Sequence, residues 1–195
     1  MMRFFGTLSI LVIMLWACGN PPEPGATDTT GETIGLRKRP QLSDTLLHRL
    51  QQSLALYFDL KENFVAGDTV AINRTAKRLA LQLDSLPLLE LQRQDTVLFA
   101  AVYGRPGDAV AELQAMLAER DLEQKRASFE MVSTVMYDLL KALQPVGVKA
   151  YYQYCPMAFE DKGAYWLSAT DSIRNPYFGN KMLRCGENKE VLEWK

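Results

Sequence analysis

The chain has 195 residues, with 22 Lys and Arg against 23 Asp and Glu, one His and three Cys. This near balance excludes the basic excess by which nucleic-acid binders track phosphate. A single histidine excludes the His-rich sites that hold zinc or Cu(II).

Met1-Met2-Arg3 leads into an apolar run from Phe4 to Trp16, then Ala17-Cys18-Gly19. A basic start, a short apolar core and a small residue at the cleavage point predict a secretory signal over residues 1–17. The run is shorter than the ~20 residues of a spanning helix. Leu15-Trp16-Ala17-Cys18 resembles a lipobox, in which Cys18 becomes the lipidated first residue of the mature protein. Two or more acyl chains on Cys18 would anchor it to a membrane. The expected location is extracytoplasmic, on the periplasmic or outer-membrane face, where disulfides persist. With Cys18 lipidated, an even pair of cysteines remains. Residues 18–41 then form a tether. Asn20 to Pro40 is rich in Pro, Gly, Thr and acids and has too few apolar residues for a core. As a flexible coil it spans roughly 25 Å. Arg37-Lys38-Arg39 within it reads as a solvated basic patch, with lipid-headgroup contact as the alternative.

Residues 42–145 predict an antiparallel helical bundle. Leu47, Leu50, Leu54, Phe58 and Val65 mark a first stripe, with Tyr57 and Phe64 beside it. Ser43 or Asp44 is its N-cap, Gly67 its end, and Asp68 the cap of the next helix. The second stripe is Ile72, Ala76, Leu79, Leu83 and Leu86, stopped at Pro87. Leu88 to Tyr103 reads as a third helix, closed by Gly104-Arg105-Pro106-Gly107. Asp108 caps a stripe of Val110, Leu113 and Leu117. Asp121 caps the last helix, which carries Phe129, Val132, Met136, Leu139, Leu140 and Leu143 and ends at Pro145 and Gly147. Met116, Met131 and Met136 read as core at this spacing, and His48 as an exposed residue near a helix start.

Residues 146–195 predict a small, irregular α/β lobe packed on the bundle, so the fold class is mainly α. Val148 to Tyr154 alternates as a short strand. Tyr165-Trp166-Leu167 is expected to seal the lobe against the bundle, and Lys189 to Lys195 to form a final strand or turn. Four sulfurs stand here in two pairs. Cys155 and Met157 bracket Pro156; they share a face on an extended segment, or Pro156 makes a turn that brings both sulfurs inward. Met182 and Cys185 share a face on a helical turn. Thiolate and thioether are soft ligands that select Cu(I), so Cys155, Met157, Met182 and Cys185 are candidate ligands for Cu(I) or Ag(I). The alternatives are a Cys155–Cys185 disulfide closing a loop of about 30 residues, worth roughly 3–4 kcal/mol in the chain-entropy model, with both methionines as packing, or two unpaired buried thiols.

The run Tyr-Cys-Pro-Met, Gly-Ala-Tyr-Trp-Leu-Ser, Ile-Arg-Asn-Pro-Tyr-Phe-Gly and Met-x-x-Cys-Gly resembles the C-terminal signature of the DUF3347 family of extracytoplasmic bacterial proteins. The resemblance extends from about Leu46 onward and is most specific at Tyr151–Gly186. Similar domains occur fused to periplasmic adaptors of copper and silver efflux pumps. Tyr-x-Cys-Pro-Met also resembles a short heavy-metal-binding segment of such adaptors, which usually continues with His where Ala158 stands here. The resemblance implies a metal-resistance context and an efflux adaptor as a partner.

No Gly-x-Ser-x-Gly, His-Glu-x-x-His, phosphate-cradling glycine loop or Cys-x-x-Cys is present. The sequence therefore reads as a non-enzymatic, membrane-tethered binding protein for Cu(I) or Ag(I). The other reading is a metal-free structural or interaction module stapled by Cys155 and Cys185.

Overall fold

A computed structural model describes residues 39–195. The expected signal, the lipidation site at Cys18 and most of the tether lie outside the described residues. None of the described helices is long and apolar enough to cross a membrane.

Five α-helices come first, in chain order α1 (Asp44–Ala66), α2 (Thr69–Asp84), α3 (Thr96–Val102), α4 (Arg105–Ala118) and α5 (Leu122–Leu143). Helix α1 starts where the Ser43 hydroxyl accepts from the Leu46 amide and stops at Gly67, whose left-handed backbone returns its N–H to Asn63 and Phe64. Asp68 caps α2 through the Ala71 amide. Asp121 accepts from both Glu123 and Gln124 at the start of α5. Helix α1 packs on α2, α2 on α4, and α4 on α5.

Of the expected α1 stripe, Leu50, Leu54 and Val65 are buried, with Tyr57 and Phe64 beside them, but the face is centred on Tyr57 and not on Phe58. Leu46, Leu50, Leu54, Tyr57, Leu60 and Phe64 are buried, while Leu47 and Phe58 are only half-buried. Tyr57 sets this phase, because its hydroxyl has partners inside the protein and cannot face solvent without losing them. Leu88 to Tyr103 is not one helix. Leu88–Arg93 is a 3-10 helix with Leu88 and Leu91 buried one tight turn apart. Asp95 then restarts the chain as α3 by accepting from the Leu98 amide. Arg105, Pro106 and Gly107 open α4 rather than close the preceding segment, with Pro106 in the first turn. Asp108 accordingly lies inside that turn and is not the cap. Met116 and Met136 are core as expected, but Met131 is 46 % exposed.

The remainder forms a three-stranded antiparallel sheet, β1 (Lys149–Cys155), β2 (Ala164–Ser168) and β3 (Glu187–Glu193), in the order β2-β1-β3. The chain between β2 and β3 covers one face of the sheet, where Trp166 is fully buried and packs edge-on to Tyr177. On the other face Tyr152 stacks on Tyr137 of α5 at 3.9 Å, and Tyr165 and Tyr154 continue the stack. Glu190 of β3 accepts from Tyr137 and Lys141 of α5.

Two tyrosines close the outer edge of β2. Leu167 donates its N–H to the Tyr57 hydroxyl at 3.0 Å, and Tyr165 accepts from the Tyr177 hydroxyl through its carbonyl. Tyr57 in turn lies 2.7 Å from Ser133 Oγ, and Ser133 donates to the Phe129 carbonyl. Since Leu167 already donates to Tyr57 and Ser133 has spent its proton, the Tyr57 hydroxyl is the donor to Ser133. Burial raises the Tyr57 pKa far above the usual phenol range, so this donor persists at all physiological pH values.

The Tyr57→Phe substitution leaves the Leu167 amide without its acceptor in a fully buried place. It should cost about 1–3 kcal/mol, read as a lower urea midpoint with unchanged slope. An unchanged midpoint would show that the hydroxyl does not join the lobe to the bundle.

Candidate functional site: a sulfur pair closing the lobe

Strand β1 ends at Cys155, because Pro156 has no N–H to continue a ladder. Cys155 is fully buried, opposite Ala164 of β2. Its sulfur lies 2.8 Å from the sulfur of Cys185. The fold thus brings together the two thiols that stand furthest apart among the four predicted sulfurs.

Asn175 holds Cys185 in place. This buried amide donates to the Cys185 carbonyl at 2.7 Å and accepts from the Tyr177 and Phe178 amides. Its backbone N–H reaches the Leu183 carbonyl. Arg126 of α5, itself buried, donates to the Pro176 carbonyl at 3.0 Å. At Gly179, with φ of +55°, a Cβ would stand 2.9 Å from the Val65 carbonyl at the end of α1. The segment Asn-Pro-Tyr-Phe-Gly is therefore a clasp between lobe and bundle. Past Cys185 the chain crosses so close to Trp166 that a Cβ on Gly186 would meet the indole at 2.8 Å.

The methionines are placed differently from the expectation. The chain turns at Pro156, so Cys155 and Met157 do not share a strand face: Cys155 is buried and Met157 is 46 % exposed. Met182 is half-buried and lies in a turn, not a helix, with its carbonyl accepting from the Cys185 amide at 3.0 Å. The exposed His48 is on α1. Among the described residues there is no group of three or more His, Cys, Asp or Glu side chains placed to hold a metal.

Burial, together with the hydrogen bond and charge of Cys155, pushes the Cys185 thiol up to about 11. In the reduced protein Cys185 therefore stays protonated near neutral pH. Any metal bound there would have to displace that proton. Two sulfurs each bonded at about 2.3 Å to one ion and opening a wide angle lie further apart than 2.8 Å. Both cysteines are free thiols here, in contact at 2.8 Å and not joined at the ~2.05 Å of a covalent pair.

Sequence reasoning placed Asn175 and Tyr177 in a run where the chain folds back without giving their side chains a role, and it missed Arg126. Arg126 was detectable, because it precedes Phe129 by three residues and so continues the apolar stripe of α5. A cation on that stripe must find acceptors in the interior, and the Pro176 carbonyl is one. Lys125 beside it does the same in the other direction, donating to Asn73 and to the Met116 carbonyl at the end of α4.

Residues 54–146 match the family described as "Protein of unknown function (DUF3347)". This supports the family for the segment that runs from within α1 to the end of α5. The match does not extend to Tyr151–Gly186, where the resemblance is most specific. No curated protein and no solved structure matches the chain.

In the reduced protein the folded state holds the Cys185 proton more tightly than the unfolded state does. That contribution to stability is intact below the ordinary thiol value and is lost as pH rises through about 11. Reduced protein should show a falling urea midpoint across this window, and slow alkylation at pH 7.5 that quickens toward pH 11. Alkylation at pH 7.5 as fast as in the unfolded chain would contradict the shielded thiol.

Proposed function

We propose that this chain is a non-enzymatic interaction module, tethered outside the cytoplasm through Cys18, whose C-terminal lobe is fixed when an external thiol oxidant takes two electrons and two protons from Cys155 and Cys185 and a disulfide forms between them. The observation that carries the reading is the 2.8 Å approach of the two sulfurs. The surrounding polar groups fit it as well. Asn175, Arg126 and the hydroxyls of Tyr57 and Tyr177 are all engaged in fixing backbone. That work gives a rigid surface for presentation to a partner at the membrane, and an efflux adaptor is the partner that the family resemblance favours.

A second reading has one specific observation behind it. Two thiols that meet at one point, with Met182 three residues from one of them, are a soft donor set for Cu(I) or Ag(I) once reduced. The raised Cys185 pKa weighs against tight binding near neutral pH. Affinity on this reading falls further as pH drops.

Full-length protein isolated without reductant should be lighter by two hydrogens than after reduction, and the Cys155→Ser chain should show no such change. Loss of the pair should lower stability by about 3 kcal/mol for a loop of this length. A chain isolated fully reduced, and binding Cu(I) at least tenfold more tightly than Cys155→Ser, would replace the interaction module with the metal-binding protein.

A further inference from the structure

Directly after the sulfur pair the backbone does something unusual. Phe159, Glu160 and Asp161 have φ of +52°, +58° and +65° in succession, with no glycine among them. A left-handed conformation costs an ordinary residue roughly 1–2 kcal/mol. The turn is clasped by Gly163 N–H to the Ala158 carbonyl at 2.9 Å and Lys162 N–H to the Phe159 carbonyl at 3.3 Å. Its effect is to set the Phe159 ring edge-on to the buried Tyr177 at 5.3 Å and to leave the Glu160 carboxylate exposed. Strain of this kind collects where a surface has a ligand to meet.

Between this turn and the first turns of α5 lies a cavity of about 380 Å³. Phe159, Tyr177 and Phe178 give it aromatic walls, and Glu123, Gln124 and Glu160 its polar groups. Glu123 is offset by its ion pair with Arg126. Glu160 makes no hydrogen bond or ion pair among the described residues. Aromatic rings with an unneutralised carboxylate select an organic cation: the half-buried Phe159 and Phe178 are the rings a cation could reach, and the carboxylate draws it in and repels anions. Met157, two residues before Phe159 and 46 % exposed, is an adaptable apolar neighbour for the chain that carries the cation.

We infer that this cavity receives a lysine or arginine side chain of a partner protein. The inference rests on the reading of the chain as an interaction module and gives that module a recognition chemistry. The lobe's clasp would then have a purpose: Tyr177 serves both as a strut under β2 and as a wall of the pocket.

The test uses the full-length oxidised chain, labelled with nitrogen-15 and titrated with three capped tripeptides, Gly-Lys-Gly, Gly-Arg-Gly and Gly-norleucine-Gly, and with n-butylammonium. Amide shifts at Gln124, Phe159 and Glu160 should saturate with the two cationic peptides and stay flat with norleucine. Glu160→Gln should weaken cationic binding by about fivefold. Phe178→Leu should weaken it similarly without touching the left-handed turn. An equal response to norleucine, or unchanged affinity in Glu160→Gln, overturns the cation pocket. Butylammonium binding as tightly as the peptides overturns the partner protein in favour of a free amine. Intact mass of the same samples separates the two proposals. An oxidised chain that ignores the cationic peptides sinks the pocket alone, whereas a chain isolated reduced sinks the closing pair and leaves the titration to be read by itself.

Discussion

Leu167 donates to Tyr57, Tyr57 to Ser133, and Ser133 to the Phe129 carbonyl. This short chain of hydrogen bonds runs from β2 through α1 into α5, and every other feature of the lobe presupposes it. An edge strand offers a row of unpaired amides and carbonyls that would otherwise meet water or another chain. Here the edge of β2 is turned inward onto helices, which have no free backbone groups to pair with it. Only side chains can meet that need, and tyrosine reaches far enough to do so while burying a large apolar ring. Tyr57 stacks on Phe129 at 5.4 Å, and Phe129 also packs on Tyr177. The same rings that exclude water from the joint deliver the hydroxyls to it.

With β2 fixed, the rest of the lobe has little freedom. Strand β1 pairs with β2 from Tyr151 to Cys155, which places the Cys155 sulfur. The return chain must then cover Trp166 and reach β3, and Asn175, Pro176 and Gly179 set its path. Arg126 is a costly element in this design, a cation held at 5 % exposure. It is tolerated because a carbonyl on one side and Glu123 on the other satisfy it. The bundle half of each contact, at Tyr57, Arg126, Phe129 and Ser133, lies within the segment matching the family, and the lobe half lies beyond it.

Much of the bundle was legible because capping and periodicity are local. Asp68, Asp121 and Gly67 act as their chemistry predicts. The errors arose where a distant partner overrides a local pattern. Phe58 is more apolar than Tyr57, so a stripe drawn by hydropathy favours it, yet Tyr57 is buried because β2 needs its hydroxyl. Asp95 interrupts an apolar run that otherwise reads as continuous helix. In the lobe, composition pointed to Cys155 and Cys185, and the fold brings their sulfurs together. It could not show that Pro156 separates Met157 from Cys155 in burial, since Cys-x-Met satisfies both strand alternation and a proline turn. The left-handed run at Phe159 has no signature at all. Phe-Glu-Asp is ordinary helical sequence, and only the packing of Phe159 on Tyr177 and the short path to Gly163 select the other hand.

The closeness of the two sulfurs also bears on what a link between them would do for the lobe. The sheet has three short strands and one edge that depends on hydroxyls, and much of the remainder between β2 and β3 is irregular chain. Such a lobe has few ladder hydrogen bonds per residue to oppose its chain entropy. A covalent link between the end of β1 and the end of the covering loop acts mainly on the unfolded state, the side of the balance that sheet pairing does not reach. A shared metal could close the same loop, but it would first have to strip protons from a thiol whose pKa the protein has raised. Oxidation to a disulfide, with two electrons and two protons passing to an external thiol oxidant, would leave no buried charge behind. On the proposed reading a neutral closure fits the raised Cys185 thiol, and the strained turn that follows Cys155 would start from a point the link holds still.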